Sequence, residues 1–147
     1  MLEYVREHDE WVAAVRERMR EQRDELLPAF PFQAWGLSSP RLLPYALTDI
    51  DSESVTLRYG ASGPLVTIRT ERYFRRRRSR LPAATLRRRG GIVVAASRKD
   101  VEIALDGDSW VAEIRAPMGV LLTVYGYRVL PESVWLVPVD DLSAYPS

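Results

Sequence analysis

Six arginines crowd the stretch from Arg72 to Arg80, "RYFRRRRSR", and guanidinium at that density does one kind of chemistry: it binds anions. Each guanidinium presents a planar fork of donors that fits a carboxylate or a phosphate. On a strand these residues would occupy both faces and on a helix most faces, so they cannot all be buried. Tyr73 and Phe74 are expected to anchor the start of the stretch to a core. The predicted partner- or polyanion-binding residues are therefore Arg72, Arg75, Arg76, Arg77, Arg78 and Arg80.

Three meanings compete for this stretch: a structural loop paired with the chain's own carboxylates, a dock for an acidic protein, and a site for nucleic acid or another polyanion. Residues 69–99 hold twelve basic groups and one acidic group, net +11, against −10 for the remainder. That acidic remainder repels phosphate backbones at long range. Base stacking would also need more aromatics than Tyr73 and Phe74. Between the two external partners, an acidic protein surface is favoured over nucleic acid.

Other chemistry is thinly supplied. There is no cysteine, which removes disulfides, thiolate nucleophiles and thiolate metal sites together. His8 is the only histidine and Lys99 the only lysine, so histidine acid/base catalysis lacks a second histidine to work with. Asp49, Asp51 and Glu53 alternate and could gather carboxylates for a hard cation, but Ser54 stands where a calcium loop needs glycine. Asp106 and Asp108 flank Gly107, as a turn requires in any case. No serine lies in a nucleophile elbow and no glycine-rich loop leads into a helix. No catalytic residue, metal or cofactor is expected.

The elements that must position the arginines follow from periodicity. Over 2–27, Val5, His8, Val12, Val15, Met19, Gln22 and Leu26 recur by threes and fours, which predicts a long amphipathic helix stopped by Pro28. Such a stripe packs on a sheet or, in a homodimer, on a second copy. Over 28–53, Pro28, Pro31, Pro40 and Pro44 predict an irregular segment whose aromatics wrap the core. From Ser54 to 138 the period becomes two, predicting six or seven strands with short turns. "VEIALDGDSWVAEI" is a predicted hairpin, and the Arg-rich excursion at 72–90 interrupts the sheet. Its second half, Pro82 to Arg89 with Gly90 after it, has the composition of a short capped helix.

Together these predict an α+β fold: the N-terminal helix, then an antiparallel meander free to curl or partly close. At 147 residues the chain suits one domain. The acidic start lacks the pattern of a secretory signal, and no run is apolar enough to span a membrane. Twenty arginines to one lysine suggests a GC-rich bacterial coding sequence. The expectation is a cytoplasmic, non-catalytic interaction module of the immunity, adaptor or scaffold kind.

Overall fold

Alternation of apolar and polar residues from Ser54 onward does produce strands, and more of them than the pattern predicts. The computed structural model describes residues 30–38, 42, 44–73, 79, 81, 82 and 85–146, with seven positions nearer the start: Glu10, Trp11, Ala13, Ala14, Glu17, Arg18 and Glu21. Nine strands hold 57% of the described residues. They are β1 (Ala34–Leu37), β2 (Tyr45–Ile50), β3 (Ser54–Tyr59), β4 (Leu65–Arg72), β5 (Leu86–Val94), β6 (Ser97–Asp106), β7 (Ser109–Ala116), β8 (Val120–Tyr127) and β9 (Trp135–Val139). All join one sheet in the order β1-β9-β5-β6-β7-β8-β4-β3-β2.

The period of two sends one set of side chains into the curl. Across six strands Leu47, Leu57, Ile68, Val124, Ala112 and Ile103 stand in a single register row, and all are at most 3% exposed. Burying a side chain of the larger kinds stabilises the fold by about 1.5–3 kcal/mol. At the end of β8, Gly126 faces Trp110 so closely that a Cβ there would collide with the indole. The indole Nε1 donates to the Val129 carbonyl at 2.7 Å, which fixes the chain as it leaves β8.

The sheet curls into a half-barrel, and β1 shows how. Its inner residues pair with β9. Its outward N–H groups have no neighbouring strand, and side chains of the facing strands take them instead. Trp35 N–H donates to Thr70 Oγ1 at 3.1 Å and Leu37 N–H to Tyr59 Oη at 3.2 Å. Pro138 sits opposite Trp35, a position where its missing N–H is not needed. Gly36 permits the approach, since a Cβ there would strike the Tyr59 hydroxyl and Val139. At the other edge Leu47 N–H donates to Pro146 O at 2.8 Å, and Tyr145 meets Tyr59 hydroxyl to hydroxyl at 2.7 Å.

Several expectations are corrected. The fold is all-β, not α+β: no helix among the described residues reaches seven residues. The predicted stripe over 2–27 lies outside the described residues, and Trp11, expected to widen it, is 61% exposed. The described sheet closes its core by curling on itself, so it needs no helical layer over it. The segment 28–53 is not irregular throughout, because it contains β1 and β2; Pro31 and Pro44 fall outside those strands, while Pro28 and Pro40 lie outside the described residues. The strands number nine, and they form two runs of hairpins, β2-β3-β4 and β5-β6-β7-β8, joined where β4 pairs with β8. One pair, β5 with β9, is parallel. The expected short helix from Pro82 is absent, since Arg87, Arg88 and Arg89 lie in β5.

One turn escaped the sequence pattern. Ala95 and Ala96 form the β5-β6 turn with φ of 49° and 69°. That left-handed conformation ordinarily belongs to glycine or asparagine and costs an alanine roughly 1–2 kcal/mol.

Burial, and then the bond to Tyr145, push the Tyr59 phenol well above its ordinary value. Because the folded value is raised, Tyr59 contributes its full stability below the unfolded value of about 10 and loses it as pH rises beyond. Tyr59→Phe is expected to lower stability by about 1–3 kcal/mol at pH 7, by leaving the Leu37 N–H without its acceptor. Urea titrations of both proteins should show that gap narrowing above about pH 10. A gap unchanged to about pH 11 would contradict the closure described here.

Candidate functional site

The basic segment begins at the end of β4. Arg72 is exposed, and its N–H donates to Glu53 O at 3.2 Å. Tyr73 follows, half-buried; its N–H donates to Gly119 O at 2.9 Å, and the Arg115 guanidinium lies 4.4 Å from its ring centroid. A cation over an aromatic face contributes about 0.5–1 kcal/mol at such a site. Tyr73 is thus tied to β7 and to the β7-β8 turn rather than to the apolar core cluster expected for it. Phe74, Arg75, Arg76, Arg77, Arg78 and Arg80 lie outside the described residues. Between them Ser79 donates to Glu113 Oε1 at 3.2 Å. The excursion is therefore tied to β7 at Glu113 and Arg115, and to the β7-β8 turn at Gly119.

The far end of the basic segment is committed to the protein's own carboxylates. Arg87 lies 3.4 Å from Glu102, and Arg89 Nε donates to Asp100 at 2.7 Å. Arg88 forms a two-pronged pair with Glu132, at 2.6 and 3.3 Å. The bond from Arg88 holds the Glu132 carboxyl below the usual carboxylate range. All three pairs are substantially exposed, so each contributes about 0–1 kcal/mol. Their effect is to neutralise these three arginines locally. Strand pairing between β5 and β6 brings the carboxylates of β6 beside Arg87 and Arg89, and that tertiary register overrides the helical composition of the segment.

The carboxylates considered for a metal are used otherwise. Asp51 caps the β2-β3 turn, accepting from the N–H groups of Glu53 and Ser54, each at 2.8 Å, and from the Ser54 hydroxyl at 3.0 Å. Burial pushes its carboxyl up. The Glu53 N–H, the Ser54 hydroxyl and N–H, and the charge of Arg69 outweigh that and hold it below the usual range. Asp49 faces Arg69 at 3.9 Å. Among the described residues no group of three histidine, cysteine, aspartate or glutamate side chains could hold a metal. Lys99 donates to Arg115 O at 3.2 Å, Asp108 faces Arg128 at 3.9 Å, and His8 lies outside the described residues. Among the described residues no helix is long and apolar enough to cross a membrane.

Sequence reasoning missed the open end of the half-barrel. A cavity of about 500 Å³ lies there, lined by Leu37, Ser38, Leu42, Val66, Val129, Ser133, Val134 and Trp135. Three separated stretches of chain supply this lining, around 37–42, Val66 and 129–135, so no local pattern announces it. One signal was legible: in "VWLVPV", Val134 and Leu136 take the buried positions, which leaves Trp135 at the outward position, 53% exposed.

Compared with protein-family models, curated proteins and solved structures, the chain matches none.

The Asp51 cap has a testable pH signature. Since its carboxyl is held low in the fold, its stabilisation is complete above the unfolded value of about 4 and is lost as pH falls through the folded value. Asp51→Ala should cost roughly 1 kcal/mol at pH 7, lowering the thermal midpoint by about 2–4 °C. Melting curves at about pH 3 should show a smaller difference between the two proteins.

Proposed function

We propose that the protein is a non-catalytic interaction module that docks an acidic surface of a partner protein through the connection between β4 and β5. Arg72, Arg75, Arg76, Arg77, Arg78 and Arg80 supply the charge. The observation that carries this reading is the density of the charge: six guanidiniums fall between Arg72 and Arg80, in a run that contains no carboxylate from Arg72 to Lys99. Arg87, Arg88 and Arg89, later in the same run, each meet a carboxylate from elsewhere in the chain and are left out of the proposed dock.

Two observations favour protein over nucleic acid as the partner. The acidic remainder of the chain opposes phosphate at long range but tolerates a compact cluster of carboxylates at contact. Tyr73 already carries Arg115 on its ring, which leaves it less open to base stacking. The lone histidine and the absence of cysteine support a non-catalytic role.

The test replaces Arg75, Arg76, Arg77 and Arg78 by serine. The thermal midpoint should stay within a degree or two of the parent, about 0.5 kcal/mol or less. Binding to a polyglutamate peptide should fall at least tenfold, on the order of 1.4 kcal/mol. A mixed-sequence duplex should not bind in low salt. If it binds, with a log-log salt slope of about −3.6 to −5.4, four to six phosphates are being neutralised and the polyanion reading replaces this one. If the variant instead loses several degrees of midpoint, these arginines hold the fold together and the docking role fails.

A further inference from the structure

The cavity at the open end of the half-barrel is framed by hydrogen bonds that the backbone of its lining residues makes. The Leu37 N–H bond to Tyr59 Oη places the end of β1. The Trp110 indole bond to the Val129 carbonyl places the opposite wall. Ser38 N–H donates to Trp135 O at 2.8 Å, and Val134 N–H to Pro131 O at 3.1 Å, which sets the remaining side. The aliphatic walls cannot close on one another without breaking these bonds, so apolar surface stays facing a space of about 500 Å³. Spaces of roughly 300–1,000 Å³ with apolar walls and few polar groups are the usual form of small-molecule sites.

The chemistry of the lining selects the occupant. Leu37, Leu42, Val66, Val129 and Val134 present hydrocarbon, and Trp135 presents an indole. Among the described residues the lining contains no charged side chain. Two charged neighbours in sequence are engaged elsewhere: Glu132 pairs with Arg88, while the Arg128 guanidinium lies 5.1 Å from the centroid of the Tyr127 ring; Arg41, beside Leu42, lies outside the described residues. Against the described lining, an ionised ligand would therefore lose its hydration without gaining a counter-charge. The polar groups are two hydroxyls. Ser133 donates its proton to Leu130 O at 2.7 Å and keeps acceptor capacity, while Ser38 makes no side-chain hydrogen bond among the described residues.

We infer that this cavity is a binding site for an uncharged, largely hydrocarbon small molecule carrying a single hydroxyl group, with Trp135 as the flat wall and Ser38 and Ser133 as the hydroxyl partners. The site is independent of the arginine segment and stands or falls separately from it.

The experiment uses the full chain and a neutral dye, N-phenyl-1-naphthylamine, with ten-carbon competitors at neutral pH. One dye should bind per chain, saturably, and decanol should displace it. Decanoate and decylammonium should need at least tenfold higher concentrations to do so. Ser38→Trp, which fills the space, should abolish dye binding, and Trp135→Ala should weaken it about tenfold, equivalent to about 1.4 kcal/mol. Absence of saturable dye binding would overturn the inference, as would dye binding that survives both substitutions. Decanoate or decylammonium competing as well as decanol would overturn the stated ligand chemistry. Should either variant melt early, the contrast between alcohol and ions on the unaltered protein still decides.

Discussion

Backbone N–H groups at the edge of a sheet must find acceptors, and the half-barrel depends on how β1 meets that demand. A closed barrel would supply another strand. Here Thr70 Oγ1 and Tyr59 Oη serve in its place, each on a residue with no measurable exposure. A buried N–H without an acceptor costs about 1–3 kcal/mol, so these two contacts hold β1 against the facing strands rather than merely decorating it. Tyr59 also meets Tyr145, which ties the end of the chain to the same point, while Pro146 accepts from the other edge strand. One phenol thus links β3, β1 and the C-terminal segment.

Closure by side chains leaves the barrel incomplete, and the cavity follows from that incompleteness. Where ladder hydrogen bonds would have drawn two strands to about 4.8 Å, side-chain bonds hold them further apart. The walls near Leu37, Val66 and Trp135 then have space between them. The same curl gives the sheet an outer face on which charged residues can pair. Arg87, Arg89, Asp100 and Glu102 project from adjacent strands on that face and neutralise one another. The paired charges and the apolar cavity therefore occupy different parts of one sheet, with opposite polarity.

Much of the strand content was legible because burial on one face imposes a period of two, and β3, β4 and β6 show it; β8, buried at five consecutive positions from Val120 to Val124, does not. The hairpin around Gly107 was legible because its turn needs a residue with positive φ, and Gly107 adopts 59°. The Ala95-Ala96 turn was illegible for the converse reason: alanine carries no turn signal, and tertiary contacts hold it there. Arg87 to Arg89 read as a helix end because arginine suits one. Only the carboxylates of β6 and Glu132, distant in sequence or set by register, make a strand the better answer.

By itself the sequence determined the local quantities: which residues alternate, where proline and glycine interrupt, and that charge is concentrated between Arg69 and Lys99 with no carboxylate from Arg72 to that lysine. Those depend on neighbours within a few positions, which a linear pattern records. Tertiary structure alone decided that β4 pairs with β8, that β9 runs parallel beside β5, and that a tyrosine closes the edge of β1. It also paired Arg87, Arg88 and Arg89 with carboxylates of the same chain. Each of these joins groups far apart along the chain, and its energy exists only once the sheet has curled to bring them within hydrogen-bond distance.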